Sequence, residues 1–264
     1  MLLNKKQLTI AIPCWIILGA FAYFYPIHNL MNMPPDMLSD NQLRQYTIFD
    51  NKTIVVYPIF TQYAYVKNGF YEYYNKTCDK RCLTVPIFTN GSNYELLKTD
   101  VGASYWIHPQ VETSNTAWHV LTMLNYHWIT DIDIDKNPKI LDRYTKVILL
   151  HNEYVTKSEF NALKNKQVLY LYPNALYAEV NVDYHSNTMN LVKGHGYQNI
   201  TNAFNSGTHS QGEYELKCKN QFWYKLQNGI EYSCYPELDL MQNEKLLSTI
   251  SLWPNDTSFN NTTT

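Results

Sequence analysis

The feature that most constrains the fold is a pair of apolar runs, residues 146–151 (KVILLH) and 167–173 (QVLYLYP), separated by a short stretch of helical character. Neither run alternates apolar with polar residues, so a strand built from either buries both faces, as the strands of a covered parallel sheet do. Between them, Thr156 followed three residues later by Glu159 reads as a capping box opening a helix. Strand, helix and strand joined by short links pair in parallel through a right-handed crossover.

The same pattern recurs along the chain. Residues 52–60 (KTIVVYPIF) form a continuous β-branched strand, and 64–76 a helix with an aromatic face interrupted at Gly69. Residues 83–88 are a short strand that Pro86 confines to an edge. Ala117, Val120, Leu121 and Leu124 follow helical spacing after Ser114, a candidate N-cap. Residues 128–135 (WITDIDID) alternate strictly and are expected to be a strand, 137–144 a helical turn, and 188–194 a further strand. Asn228-Gly229 lies between two aromatic-rich runs and signals a β-hairpin. The expected fold is α/β: a doubly wound, flavodoxin-like, mostly parallel sheet with a C-terminal hairpin added antiparallel, preceded by an N-terminal transmembrane helix.

That helix is read from Leu8 to Ile27, about twenty mostly apolar residues without charge, enough to cross the hydrocarbon of a bilayer. Lys5 and Lys6 precede it and the next cation is Arg44, which leaves the N-terminus in the cytoplasm and the remainder outside. Ala20-Phe21-Ala22 resembles a signal-peptidase site, so the alternative to a single-pass anchor in the cell membrane is a cleaved signal and a secreted protein. Residues 1–30 are thus the anchor or signal, 31–50 a linker with a short helix after Ser39, 51–250 one extracytoplasmic domain, and 251–264 a disordered Asn/Thr-rich tail.

Cysteine usage agrees with an oxidising location: outside the apolar run there are four, expected to form disulfides Cys78–Cys82 and Cys218–Cys234, since their spacing fits no zinc ribbon or finger. Sequons at Asn51, Asn75, Asn90, Asn199, Asn255, Asn260 and Asn261 are candidate glycosylation sites, against chance occurrence in an Asn- and Thr-rich chain. A net charge of −2 gives no footprint for nucleic acid, which is excluded as a partner. The partners left are the membrane and a small-molecule ligand, and the sequence leaves the oligomeric state open.

Asp131 to Asp135 carries the acidic alternation of a calcium loop, but Lys136 and Pro138 stand where such a loop must turn. A helical zinc motif and a nucleophile elbow are both missing from the sequence. What remains are the polar clusters after the two apolar runs, His151 to Tyr154 and Asn174 to Tyr177, where an open α/β sheet builds its site. Gly194-His195-Gly196 follows a strand and forms either a polar turn beside these clusters or a bare turn with a surface histidine.

Residues 128–180 resemble the core of the large (beta) subunit of N,N-dimethylformamidase and its relatives, which have a class I glutamine amidotransferase-like fold. In those relatives one strand ends in His-x-Glu-Tyr-Trp-Thr/Ser and the next in Gly-Gly-Asn-x-x-Tyr. His151, Glu153, Tyr154 and Thr156 match the first, and Asn174 and Tyr177 the second; Val155 replaces the tryptophan and Tyr172-Pro173 the glycines. The resemblance points to a short, membrane-anchored relative of archaeal type. It implies an iron ion held by Tyr154, Tyr177 and a downstream glutamate, for which Glu213 in Gly212-Glu213 is the match, although the residues expected after it are missing. Phenolate and carboxylate are hard ligands suited to ferric iron acting as a Lewis acid. His151, Glu153 and His195 are then the candidate catalytic residues. In the alternative, Glu153 and Asn174 cap helices and the tyrosines pack beneath them. The two functional expectations are a non-catalytic binding or envelope protein on this scaffold, and an iron-dependent hydrolase of small amides or other C–N bonds.

Overall fold

The structure is a computed structural model that describes residues 38–48, 51–66, 68–87, 114–209, 221–236 and 239–254. The Leu8–Ile27 run lies outside them; among the described residues no helix is long and apolar enough to cross a membrane. A compact unit begins at Asp40.

The protein is a mixed α/β structure with a mostly parallel sheet and a second sheet. The first contains β1 (Thr53–Tyr57), β3 (His127–Thr130), β4 (Lys146–Leu149), β6 (Gln167–Tyr170), β9 (Trp223–Leu226) and β10 (Gly229–Tyr232) in the order β3-β1-β4-β6-β10-β9. Every pair is parallel except the hairpin β9–β10. The continuous apolar runs have the expected cause: Ile54, Val56, Val147, Leu149 and Val168 enter one core cluster, and their neighbours Val55, Ile148 and Leu169 are equally buried on the other face. Each such side chain contributes about 1.5–3 kcal/mol of transfer free energy.

The single sheet expected from the sequence is divided. After β4 the chain passes into a second sheet of β2 (Thr84–Pro86), β5 (Tyr154–Thr156), β7 (Ala178–Asp183) and β8 (Thr188–Lys193), in the order β2-β8-β7-β5. β2 is an edge strand, as Pro86 requires. The helices are α1 (Asp40–Arg44), α2 (Ile59–Ala64), α3 (Phe70–Tyr74), α4 (Asn115–Met123), α5 (Asp131–Lys136), α6 (Lys157–Leu163) and α7 (Glu244–Leu252), with short 3-10 turns at Lys80–Leu83, Pro138–Arg143 and Asp239–Met241. The interruption expected at Gly69 within the 64–76 run is present: Gly69 is the N-cap of α3, and the preceding helix α2 ends at Ala64.

The strand expected over 128–135 stops at Thr130, and Asp131–Lys136 is helical. Side-chain capping overrides the alternation: the Thr130 hydroxyl accepts from the Asp133 N–H while the Asp133 carboxylate accepts from the Thr130 N–H, a complete capping box. Asp131, fully buried, accepts from Phe60 N–H at 2.8 Å and so caps the first turn of α2. Asp135 accepts from the Thr156 hydroxyl at 2.5 Å and the Tyr184 hydroxyl at 2.7 Å. The acidic alternation is therefore a set of three separate caps and clamps.

Only half of the box expected at α6 forms. Thr156 accepts from Glu159 N–H at 3.1 Å, but the Glu159 carboxyl points into the core, where neither oxygen has a hydrogen-bond partner. Burial first, and then the charges of Asp131 and Asp135, push the Glu159 carboxyl well above its usual range. A raised carboxyl stays protonated in the fold while the unfolded chain ionises, so its stabilising contribution is full below the usual glutamate pKa and is lost as pH rises. Glu159→Gln removes the titration, and urea denaturation is expected to show this variant gaining on the wild type by about 1–3 kcal/mol between pH 5 and pH 8. A difference independent of pH would contradict a protonated Glu159.

Candidate functional site

Residues His151 to Tyr154 bridge the two sheets, running from the carboxyl end of β4 to the start of β5, and all four are fully buried. A polar bridge can be buried only where its backbone groups find partners. The Ser114 hydroxyl accepts from His151 N–H at 3.1 Å, so Ser114 serves this bridge rather than capping α4 with its side chain. The Thr61 hydroxyl of α2 accepts from both Glu153 N–H (3.0 Å) and Tyr154 N–H (3.1 Å). The Glu153 carbonyl accepts from Tyr177 and Ala178, tying in the second polar cluster. Thr61→Val preserves shape but strands two buried N–H groups, and is expected to cost about 2–4 kcal/mol in urea denaturation; a loss under about 0.5 kcal/mol, the size of a surface substitution, would contradict this anchoring.

The Glu153 carboxylate is the centre of the site. Oε2 accepts from the Tyr65 hydroxyl at 2.7 Å and faces His151 Nε2 at 3.3 Å. Oε1 accepts from the Tyr71 hydroxyl at 3.1 Å and is in contact with His195 Nε2. Each oxygen therefore meets one phenol and one imidazole. The Tyr65 and Tyr71 rings stack with centroids 4.2 Å apart and their hydroxyls lie 2.7 Å apart. With the Tyr65 proton on Oε2, the Tyr71 proton is the one shared between Tyr65 and Oε1. Burial pushes the Glu153 carboxyl up, but His195 by charge and hydrogen bond, the charge of His151 and the Tyr65 phenol together outweigh it and hold the group below its usual range. Burial lowers His151, outweighing the attraction of Glu153, with His195 opposing its protonation further. Glu153 is thus an anion with a neutral His151 behind it.

His195 sits where the site opens. Its side chain is 14% exposed and forms part of the wall of a cleft of about 850 Å³. The turn that carries it is held in the left-handed region at Gly194 (φ 121°), His195 (φ 50°), Gly196 (φ 83°), Gln198 (φ 59°) and Asn199 (φ 58°). A side-chain-bearing residue at positive φ is uncommon and persists where its surroundings hold it. Here His195 N–H donates to the Thr201 carbonyl, and a Cβ on Gly194 would lie 2.8 Å from Ala178, so β7 leaves room only for glycine.

The expected site residues do converge, with a different centre. Tyr154 and Tyr177 both pack on the His195 ring, at centroid distances of 5.5 and 4.9 Å. The Tyr154 hydroxyl reaches Tyr74 at 3.5 Å, and burial, then the charge of Glu153, pushes this phenol well above its usual range. Glu153 accepts from phenols instead of capping a helix, and the buried Asn174 side chain caps no helix among the described residues. The His151 ring stacks on Tyr172, so the ends of the paired strands β4 and β6 do meet. For the implied iron, Tyr154 and Tyr177 lack an available carboxylate among the described residues: both Glu153 oxygens are engaged, and Glu213 lies outside them. The described residues alone therefore do not compose that iron site.

Tyr65, Tyr71, Tyr74 and Thr61 were not legible as site residues. The three tyrosines come from the aromatic run before the first disulfide, where tyrosine spacing gives no sign that two hydroxyls converge on one carboxylate, and Thr61 lies in α2. A second carboxylate–imidazole pair, Glu231 Oε2 to His209 Nδ1 at 2.7 Å, also lacked a sequence signal. Cys78–Cys82 is a disulfide. Cys234 is also disulfide-bonded, and Cys218, the partner expected for it, lies outside the described residues. Among the sequons Asn51, Asn75 and Asn199 are exposed, while Asn90, Asn255, Asn260 and Asn261 lie outside the described residues. Neither the known family models nor the curated proteins contain a match to this chain.

Proposed function

We propose that this chain is a membrane-anchored, extracytoplasmic protein whose domain has a flavodoxin-like, class I glutamine amidotransferase-like layout and binds a small polar molecule against His195. The layout is supported by the strand order of the first sheet, whose first four strands in chain order lie second-first-third-fourth, the order of flavodoxin-like sheets. Such sheets bind ligands beyond the carboxyl ends of their strands, where His151 and Glu153 lie. The anchor is supported by the length of Leu8 to Ile27 and by Lys5 and Lys6 before it, and the outside location by the Cys78–Cys82 disulfide.

The observation that carries the binding reading is a histidine in a cleft wall, held at its inner nitrogen by a fully buried carboxylate. Convergent polar groups of this kind fix a ligand's orientation. A ligand-observed NMR screen of small amides, carboxylates, phosphates and sugars against the full-length protein tests it. Compounds that bind are expected to lose binding in His195→Ala at a temperature where far-UV circular dichroism shows the variant still folded, since removing a partner of the buried Glu153 carboxylate also costs stability. Binding that survives unchanged would contradict the reading.

An amide hydrolase is the second reading, favoured by Tyr154 and Tyr177, the two phenols matched to the amidase motifs, packing on this same imidazole. An imidazole beside a buried carboxylate can take a proton from water attacking a carbonyl and return it to the leaving amine, a general-base contribution of about 10²–10⁴. Amine release from formamide, acetamide and N,N-dimethylformamide, with iron supplied and withheld, tests this reading. Turnover is expected to fall at least about 100-fold in His195→Gln; no release under either condition overturns catalysis and leaves binding.

A further inference from the structure

The cleft has a charge asymmetry that the whole chain does not share. The protein carries a net charge of −2, yet this cleft is lined by Lys76, Lys80 and Arg81 against a single acid, Asp79. Asp79 is already committed: its Oδ1 accepts from both the backbone N–H and the side-chain Nε of Arg81, each at 2.9 Å. Lys76 and Lys80 have no carboxylate partner among the described residues.

This basic wall is built into a constrained loop. Cys78 and Cys82 are bonded four residues apart, a loop so short that closing it restricts the unfolded chain least. The main consequence of the bond is therefore local shape. Cys82 and Leu83 are buried and anchor the loop, while Asp79, Lys80 and Arg81 remain exposed. Lys76 adds to the same wall from a left-handed residue, φ 59°, that turns the chain out of α3. Facing it is the strained turn of His195, with Tyr197 edge-on to Tyr73 at 5.8 Å.

We infer that the ligand of this cleft is a small molecule bearing an anionic carboxylate or phosphate, which docks on Lys76 and Lys80 while its uncharged polar end meets His195. The inference rests on the cleft being a ligand site. A lysine pair without a carboxylate partner among the described residues attracts an anion from solution and selects it over a neutral isostere.

The test uses full-length protein with its disulfides intact and three probes: N-acetylglycine, inorganic phosphate and the neutral N-acetylglycinamide. Binding is read by NMR titration of the wild type, the Lys76→Gln/Lys80→Gln double variant and His195→Ala. At least one anionic probe is expected to bind about tenfold or more tightly than N-acetylglycinamide, with an advantage that shrinks at high salt and disappears in the double variant. Preference for N-acetylglycine identifies a carboxylate ligand, and preference for phosphate a phosphorylated one. Both lysines are exposed, so an unchanged melting temperature in the double variant excludes misfolding. The inference is overturned if N-acetylglycinamide binds as tightly as both anions, if neither anion binds, or if the advantage survives the double variant. Anion binding that needs the lysines but is indifferent to His195→Ala would instead overturn the proposed role of His195 and leave the anion wall standing.

Discussion

Glu153→Leu is expected to destabilise the fold by about 3–5 kcal/mol, the cost of removing one partner from a buried charge network. Two phenols and two imidazoles lose the acceptor around which they are arranged, and the fully buried His151 cannot take water in exchange. Against a total stability of about 5–15 kcal/mol, a loss of this size leaves a marginal fold. Glu153→Gln keeps the volume and one acceptor oxygen, and a loss of about 1–3 kcal/mol is expected. The pH dependence has a definite sign. A carboxyl held below its usual range stabilises the fold above the unfolded pKa, and that contribution is lost as pH falls through the folded value. The gap between wild type and Glu153→Gln in urea denaturation is thus widest near neutral pH and closes in acid, opposite to the trend expected for Glu159→Gln. A loss under about 1 kcal/mol for the leucine variant would mean that the network is not held together by this carboxylate.

Gly229→Ala carries the second large effect, expected at about 3 kcal/mol or more. A Cβ at Gly229 would lie 1.7 Å from the Val168 carbonyl oxygen, and this neighbour is backbone. Relief requires β10 to move away from β6, breaking the parallel ladder that joins Gly229 to Val168 and Ile230 to Leu169. That ladder also places Glu231, the partner of His209. Thermal unfolding followed by far-UV circular dichroism is expected to show a drop of about 6–12 °C, given about 2–4 °C per kcal/mol for a chain of this size. A shift below about 2 °C would show that β10 is not seated on β6 at this distance.

Gly229 also illustrates what was legible. Asn228-Gly229 correctly announced a hairpin, but for a different reason. The register pairs Gly229 with Leu226, so the loop is Gln227-Asn228, and neither Asn228 nor Gly229 has a positive φ. Glycine is needed for close approach to another strand, which no local pattern encodes. Strands β1, β4 and β6 were legible because burial of both faces is written as an unbroken apolar run. The division into two sheets was not, because Tyr154 to Thr156 reads as a continuation of polar residues until β7 is brought alongside it. Asp131 to Asp135 misled because alternation and capping compete over six residues, and the hydroxyl of Thr130 decides.

At the site, His151, Glu153, Tyr154, Tyr177 and His195 were legible from the strand ends and from the resemblance to one amidase family. Their arrangement was not. The two histidines are 44 positions apart in the sequence, and they meet through a carboxylate that also gathers phenols from α3 and the turn before it.

The central claim is that His195, in contact with Glu153 through Nε2, forms part of the cleft wall while His151 stays sealed behind it. Carbethoxylation of the folded full-length protein with diethyl pyrocarbonate, read residue by residue by mass spectrometry, tests this most directly. His195 is expected to be modified in the native state and His151 only after unfolding, since the one is 14% exposed and the other fully buried. A His195 as inert as His151, or a His151 that reacts as readily as His195, would contradict it.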